Sequence, residues 1–83
     1  MKIEFSKTAK KQFTKLNPRI QQKIIFTLEK FESGERIDIK KLKGPNDEFR
    51  IRTGNYRVQI ERIKDGFLVT KIGKRENFYM VFF

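Results

Sequence analysis

Three arginines stand out by their spacing. Arg50 and Arg52 alternate with Phe49 and Ile51, and Arg57 sits between Tyr56 and Val58 in a second alternating run. Successive side chains of a strand point to opposite faces, so Arg50 and Arg52 share one face and leave the other to Phe49 and Ile51. Tyr56, Val58 and Ile60 also share a face, with Arg57, Gln59 and Glu61 opposite. When the apolar faces are covered, the guanidinium groups converge on the uncovered side. Lys71 and Arg75 join them if Leu68 and Ile72 of the next run face the covered side. Guanidinium grips phosphate oxygens with two N–H groups at once and never loses its proton. Such a cluster invites an anion to bind there; its other reading is a solvated strand face that serves solubility and edge protection. Like charges opposed across a sheet cost about 0.2–1 kcal/mol per pair, and a bound anion removes that cost.

The rest of the inventory is narrow. The 83 residues include no cysteine and no histidine. That excludes disulfides, thiolate nucleophiles, imidazole bases and the usual zinc sites. Asp47 and Glu48 are adjacent but make no metal-ligand spacing, so no metal and no cofactor is expected. Any proton acceptor must be a lysine, a tyrosine or a carboxylate. Twenty Lys and Arg against ten Asp and Glu leave a formal charge of +10, which calls for a polyanionic partner. Lys7, Lys10, Lys11 and Lys15 read as a solvated helix face or as an additional docking strip for that polyanion. No apolar run approaches the ~18 residues of a membrane span, and the opening Met1–Phe5 has no signal-peptide centre, so a cytoplasmic protein is expected.

The elements that must position these groups follow from periodicity. Lys2–Phe5 alternates like a short strand, and Ser6 stands where a helix N-cap belongs. Ala9, Phe13 and Leu16 form one apolar stripe. Asn17-Pro18 opens a second helix, whose stripe is Ile20, Ile24, Leu28 and Phe31, widened by Ile25 and stopped by Gly34. From Ile37 the period changes. Lys40 to Asp47 is basic and then turn-like. Strands follow at Glu48–Thr53, Tyr56–Glu61 and Phe67–Gly73, separated by Gly54-Asn55 and by Lys64-Asp65-Gly66. The Phe67 run is apolar on both parities, which suits an interior strand and leaves its facing open. Phe78–Phe83 reads as a core strand or as an edge awaiting a partner. The expectation is one α+β domain over residues 1–83. Two N-terminal antiparallel helices cover one face of a small, mostly antiparallel sheet.

Lys41-Leu-Lys-Gly44, Phe49-Arg-Ile-Arg52, Gly54-Asn-Tyr-Arg-Val58 and Gly73-Lys-Arg75 with Tyr79 follow one another in an order that resembles the RelE/ParE superfamily of toxin–antitoxin toxins. The resemblance runs nearly end to end. It implies the fold just described and, on the RelE branch, a ribosome-dependent endoribonuclease that cuts mRNA in the A site without metal. It places Arg57 and Arg75 on the scissile phosphate and Arg50 and Arg52 on flanking phosphates. The RelE branch often has lysines at the last two positions; an arginine there cannot act as a base. Tyr79 becomes the base candidate, or a platform that stacks on a nucleobase, with Lys43 or Lys74 as alternative bases. The resemblance further implies a neutralising antitoxin. That partner would add a strand at an edge near Phe78–Phe83 or lay a helix in a groove beside the helices. Three other readings stay open: a ParE-like protein that poisons DNA gyrase without chemistry, a plain nucleic-acid-binding module, and an inactive toxin copy.

Overall fold

The computed structural model describes residues 2–75. Tyr79 and the Phe78–Phe83 run lie outside them. The elements are β1 (Lys2–Phe5), α1 (Lys7–Thr14), α2 (Pro18–Glu32), β2 (Ile39–Lys41), β3 (Glu48–Thr53), β4 (Tyr56–Ile63) and β5 (Gly66–Lys74). Both helices start where side chains satisfy otherwise orphaned N–H groups. The Ser6 hydroxyl accepts from the Ala9 N–H at 3.1 Å, and Asn17 Oδ1 accepts from the Ile20 N–H at 3.0 Å. Each cap contributes about 1 kcal/mol.

The strands make one five-stranded sheet in the order β1-β5-β4-β3-β2. β2 to β5 pair antiparallel, and β1 lies parallel to β5. The parallel pair is close at its start. A Cβ on Gly66 would collide with the Lys2 carbonyl oxygen, so the start of β5 must be glycine. Gly54, at φ 60°, closes the β3–β4 turn in a conformation other residues resist.

The helices cover one face of the sheet. Ala9, Ile24 and Leu28 meet Ile51, Val58, Ile60, Phe67, Val69 and Ile72 in a single buried cluster. Phe67 packs edge-to-face on Phe31 at 4.9 Å and on Phe49 at 6.0 Å between centroids. Truncating Ile24 or Leu28 to alanine would cost about 2–5 kcal/mol.

Two sequence expectations change, and the facing left open for β5 is settled. The basic stretch after Ile37 is not all turn, because Ile39–Lys41 pairs with β3 as an edge strand. Ile25 does not widen the core stripe; it is 39% exposed, beside Phe26 at 59%. In β5, Leu68 does not face the helices with Ile72. Phe67, Val69 and Ile72 are the buried residues. Their unequal spacing has a cause. The β4–β5 register slips between Gln59 and Ile60, so that Gln59 opposes Lys71 while Ile60 opposes Val69. Thr70 is the extra residue of a β-bulge.

Candidate functional site

The register lays the uncovered face out in rows across the strands. Arg52 opposes Arg57, which opposes Gly73. Asp38 extends that row, since its carbonyl accepts the Arg52 N–H at 2.9 Å. The next row is Lys40, Arg50, Gln59 and Lys71. The one beyond is Glu48, Glu61, Leu68 and Glu4. One end of the face is therefore cationic and the other acidic. Gln59 joins them, its Nε2 donating to Glu48 Oε2 at 2.8 Å.

At the cationic end lies a cleft of about 210 Å³ lined by Asp38, Lys40, Arg50, Arg52, Arg57 and Arg75. Five cations thus meet one carboxylate. They are held in different ways. Arg57 is only 4% exposed, and its Nη1 donates to the carbonyls of Gly54 at 3.3 Å and Tyr56 at 3.1 Å. The tight turn after β3 therefore fixes the guanidinium that β4 supplies. Arg52 Nε donates to Asp38 Oδ2 at 2.8 Å, and both side chains are more than half exposed. An ion pair that wet contributes at most about 1 kcal/mol, so it orients Arg52 without consuming its charge. The Arg75 N–H donates to the Asn55 carbonyl at 2.9 Å, tying the end of β5 to the same turn. Chemically, the cleft is a seat for a small dianion or for the bridging phosphate of a polymer.

Arg50, Arg52, Arg57 and Arg75 are thus brought together. Lys71 stands in the row beside them, half-buried, and burial pushes its ammonium below the ordinary lysine range. The other lysines singled out by sequence lie elsewhere. Lys43 is exposed in the loop between β2 and β3. Lys74 opposes Tyr56 on the helix side and lines a different groove with Lys15 and Gln12. Lys7, Lys10 and Lys11 are exposed along α1. Sequence reading passed over Lys40 and Asp38. The alternation of Ile37 and Ile39 with Asp38 and Lys40 was the available signal. Among the described residues no group of His, Cys, Asp or Glu could hold a metal ion, and no helix is long and apolar enough to cross a membrane.

A third groove, about 640 Å³, runs along the helices, lined by Phe13, Gln21, Gln22, Ile25, Phe26 and Glu29. It is the main apolar surface the described residues leave uncovered.

No protein-family model matches the chain. Individual relatives do. The chain is 32% identical over 87 aligned residues to "Toxin RelE3" of Methanocaldococcus jannaschii, covering 99% of each. The chain belongs to the RelE toxin family. Solved structures agree with the membership. The toxin fold of the RelB-RelE antitoxin-toxin complex from Methanococcus jannaschii matches with a TM-score of 0.81 at 30% identity, covering 95% of this chain and 98% of that one. The intact E. coli RelBE toxin-antitoxin complex matches with a TM-score of 0.67 at 29% identity, covering 87% and 93%. The RelE family fold, two helices on one face of a mixed five-stranded sheet, is the one described above.

Proposed function

We propose that this chain is a RelE toxin that cleaves mRNA held in the ribosomal A site and is neutralised by a cognate antitoxin. The observation that carries the reading is the cleft: four arginines and Lys40 converge on the open sheet face, with one arginine buried and anchored at its base. A surface made for general solubility would spread these charges apart.

The reaction needs in-line geometry, removal of the 2′ proton, and stabilisation of the charge on the pentavalent phosphorus and the departing 5′-oxygen. Arg57 and Arg75 serve the third need. Arg57 does so with little reorganisation, because two carbonyls already fix it. Arg50 and Arg52 clamp flanking phosphates, Arg52 aimed by Asp38. The acidic row of Glu48, Glu61 and Glu4 repels a polyanion and so confines the strand to the cationic end. The ribosome supplies in-line geometry by bending the message, which the short cleft does not do alone. Lys7, Lys10 and Lys11 on α1 meet ribosomal RNA.

The helical groove is the antitoxin's seat. Its floor of Phe13, Ile25 and Phe26 between Gln and Glu edges suits the apolar face of a partner helix, and relatives of this chain were solved in complex with antitoxins.

The test is primer extension on an mRNA under translation in a cell-free extract. New 3′ ends inside A-site codons are expected. Arg75→Ala should lower their rate of appearance by about 10²–10³. Intact mRNA with undisturbed translation would overturn the reading, and inhibited DNA supercoiling in a parallel assay would replace it with gyrase poisoning.

A further inference from the structure

Among the described residues the cleft holds charge but offers the 2′ proton a poor acceptor; Tyr79, the other base candidate, lies outside them. Four of its five cations are arginines, which keep their protons. Its carboxylate, Asp38, is engaged by Arg52. Lys43 and Lys74 lie away from it. We propose that Lys71 is the catalytic base of this toxin, its neutral Nζ taking the proton from the attacking 2′-hydroxyl. The inference rests on the ribonuclease reading.

Position is the first reason. Without the bulge at Thr70, Lys71 would share parity with Phe67 and Val69 and point into the core. The inserted residue turns it onto the cationic face, directly opposite Gln59 and diagonal to Arg57. Diagonal neighbours in a sheet are about 7 Å apart, within reach of long side chains. Both flanking residues are fastened. The Thr70 hydroxyl donates to the Gln59 carbonyl at 3.2 Å, and the Thr70 carbonyl accepts from Ser6 Oγ at 3.4 Å. The Ile72 N–H donates to Gln12 Oε1 on α1 at 2.7 Å. A residue held from both sides on an interior strand keeps its aim.

Chemistry is the second. Lys40 lines the cleft but is exposed on the edge strand β2. Lys71 is half-buried, and burial already favours its neutral form. The charged groups on its side of the sheet are Arg57 and Glu61 on β4, Glu48, Arg50 and Arg52 on β3, Lys40 on β2 with Asp38 before it, Glu4 on β1 and Arg75 just beyond its own strand.

The step balances without a co-reactant. The proton moves from O2′ to Nζ, the O2′–P bond forms and the P–O5′ bond breaks. The products are a 2′,3′-cyclic phosphate and a 5′-hydroxyl. Water protonates the departing 5′-oxygen, and the hydroxide formed removes the proton from Lys71.

The experiment is single-turnover cleavage of ribosome-bound mRNA from pH 6 to 9.5, with wild type, Lys71→Arg and Lys40→Arg. Affinity for a message carrying a 2′-deoxy residue at the cleavage site is measured alongside. Lys71→Arg keeps a long side chain with N–H donors and loses the acceptor. The expected result is a rate loss of about 10²–10⁴, loss of the basic-limb rise in the pH profile, and unchanged affinity for the uncleavable message. A Lys71→Arg rate near wild type, or a loss that follows Lys40→Arg instead, would overturn the assignment and leave the ribonuclease reading standing. No cleavage by wild type would overturn both.

Discussion

The cleft and the outer side of α1 are both cationic, yet they are built differently. Lys7, Lys10 and Lys11 extend into water from a helix whose opposite side is anchored by Ala9. Each has a flexible stem and a separate direction. Arg50, Arg52, Arg57 and Arg75 rise from paired strands toward one volume of about 210 Å³, and hydrogen bonds hold Arg52 and Arg57 in place. The first arrangement raises the local concentration of any polyanion. The second is suited to hold a phosphate in one place. Net charge predicts a partner class; the rigidity of the elements that carry the charge decides where chemistry can occur.

The contrast can be broken at its strongest point. Arg57→Lys keeps the charge but gives up the planar fork and its two carbonyl anchors. If geometry matters more than charge, cleavage should fall by about 10² or more, measured as the single-turnover rate on ribosome-bound message. A rate within a few-fold of wild type would make the cleft another patch of charge like α1. The helix side gives a smaller and different effect. Replacing Lys7, Lys10 and Lys11 together with glutamine should weaken ribosome association. The slope of log affinity against log salt should flatten by about 0.7–0.9 for every phosphate that is no longer neutralised, with the rate at saturation kept. An equal loss of saturated rate would mean that α1 also positions the message.

The smallest effect concerns stability. The folded chain lowers the proton affinity of Lys71, so between that lowered value and the ordinary lysine range the unfolded chain binds more protons. Stability must then rise with pH through this window. The urea midpoint of wild type should climb across it, and Lys71→Met should remove that part of the climb. Parallel curves for the two proteins would mean that Lys71 titrates as a solvated lysine does.

Much of this was legible in the residues. Ser6 and Asn17 announced the helix starts because capping is local chemistry. The facing of Arg50, Arg52 and Arg57 followed from strict alternation, which a half-covered sheet enforces. What stayed hidden depends on bonds and packing between distant segments. Phe67, Leu68 and Val69 are all apolar, so nothing local marks a bulge at Thr70; the bonds that hold it come from Gln59, Ser6 and Gln12. Lys40 and Lys41 looked like part of a turn because an edge strand needs apolar residues on one side only. Lys74 sat one residue from Arg75 in sequence, yet alternation sends it to the opposite side of the sheet.

The strand order carries a last consequence, for the time at which this protein becomes harmful. β5, the last described strand, sits between β1, the first, and β4. During synthesis the opening segment therefore waits without its neighbour until β5 has left the ribosome. Lys71 arrives with that same strand, and Arg75 directly after it. A nascent chain that has not yet exposed β5 has neither a closed sheet nor, on the proposed reading, Lys71 and Arg75 beside the other cations of the cleft, so the fold and the cleft are completed together.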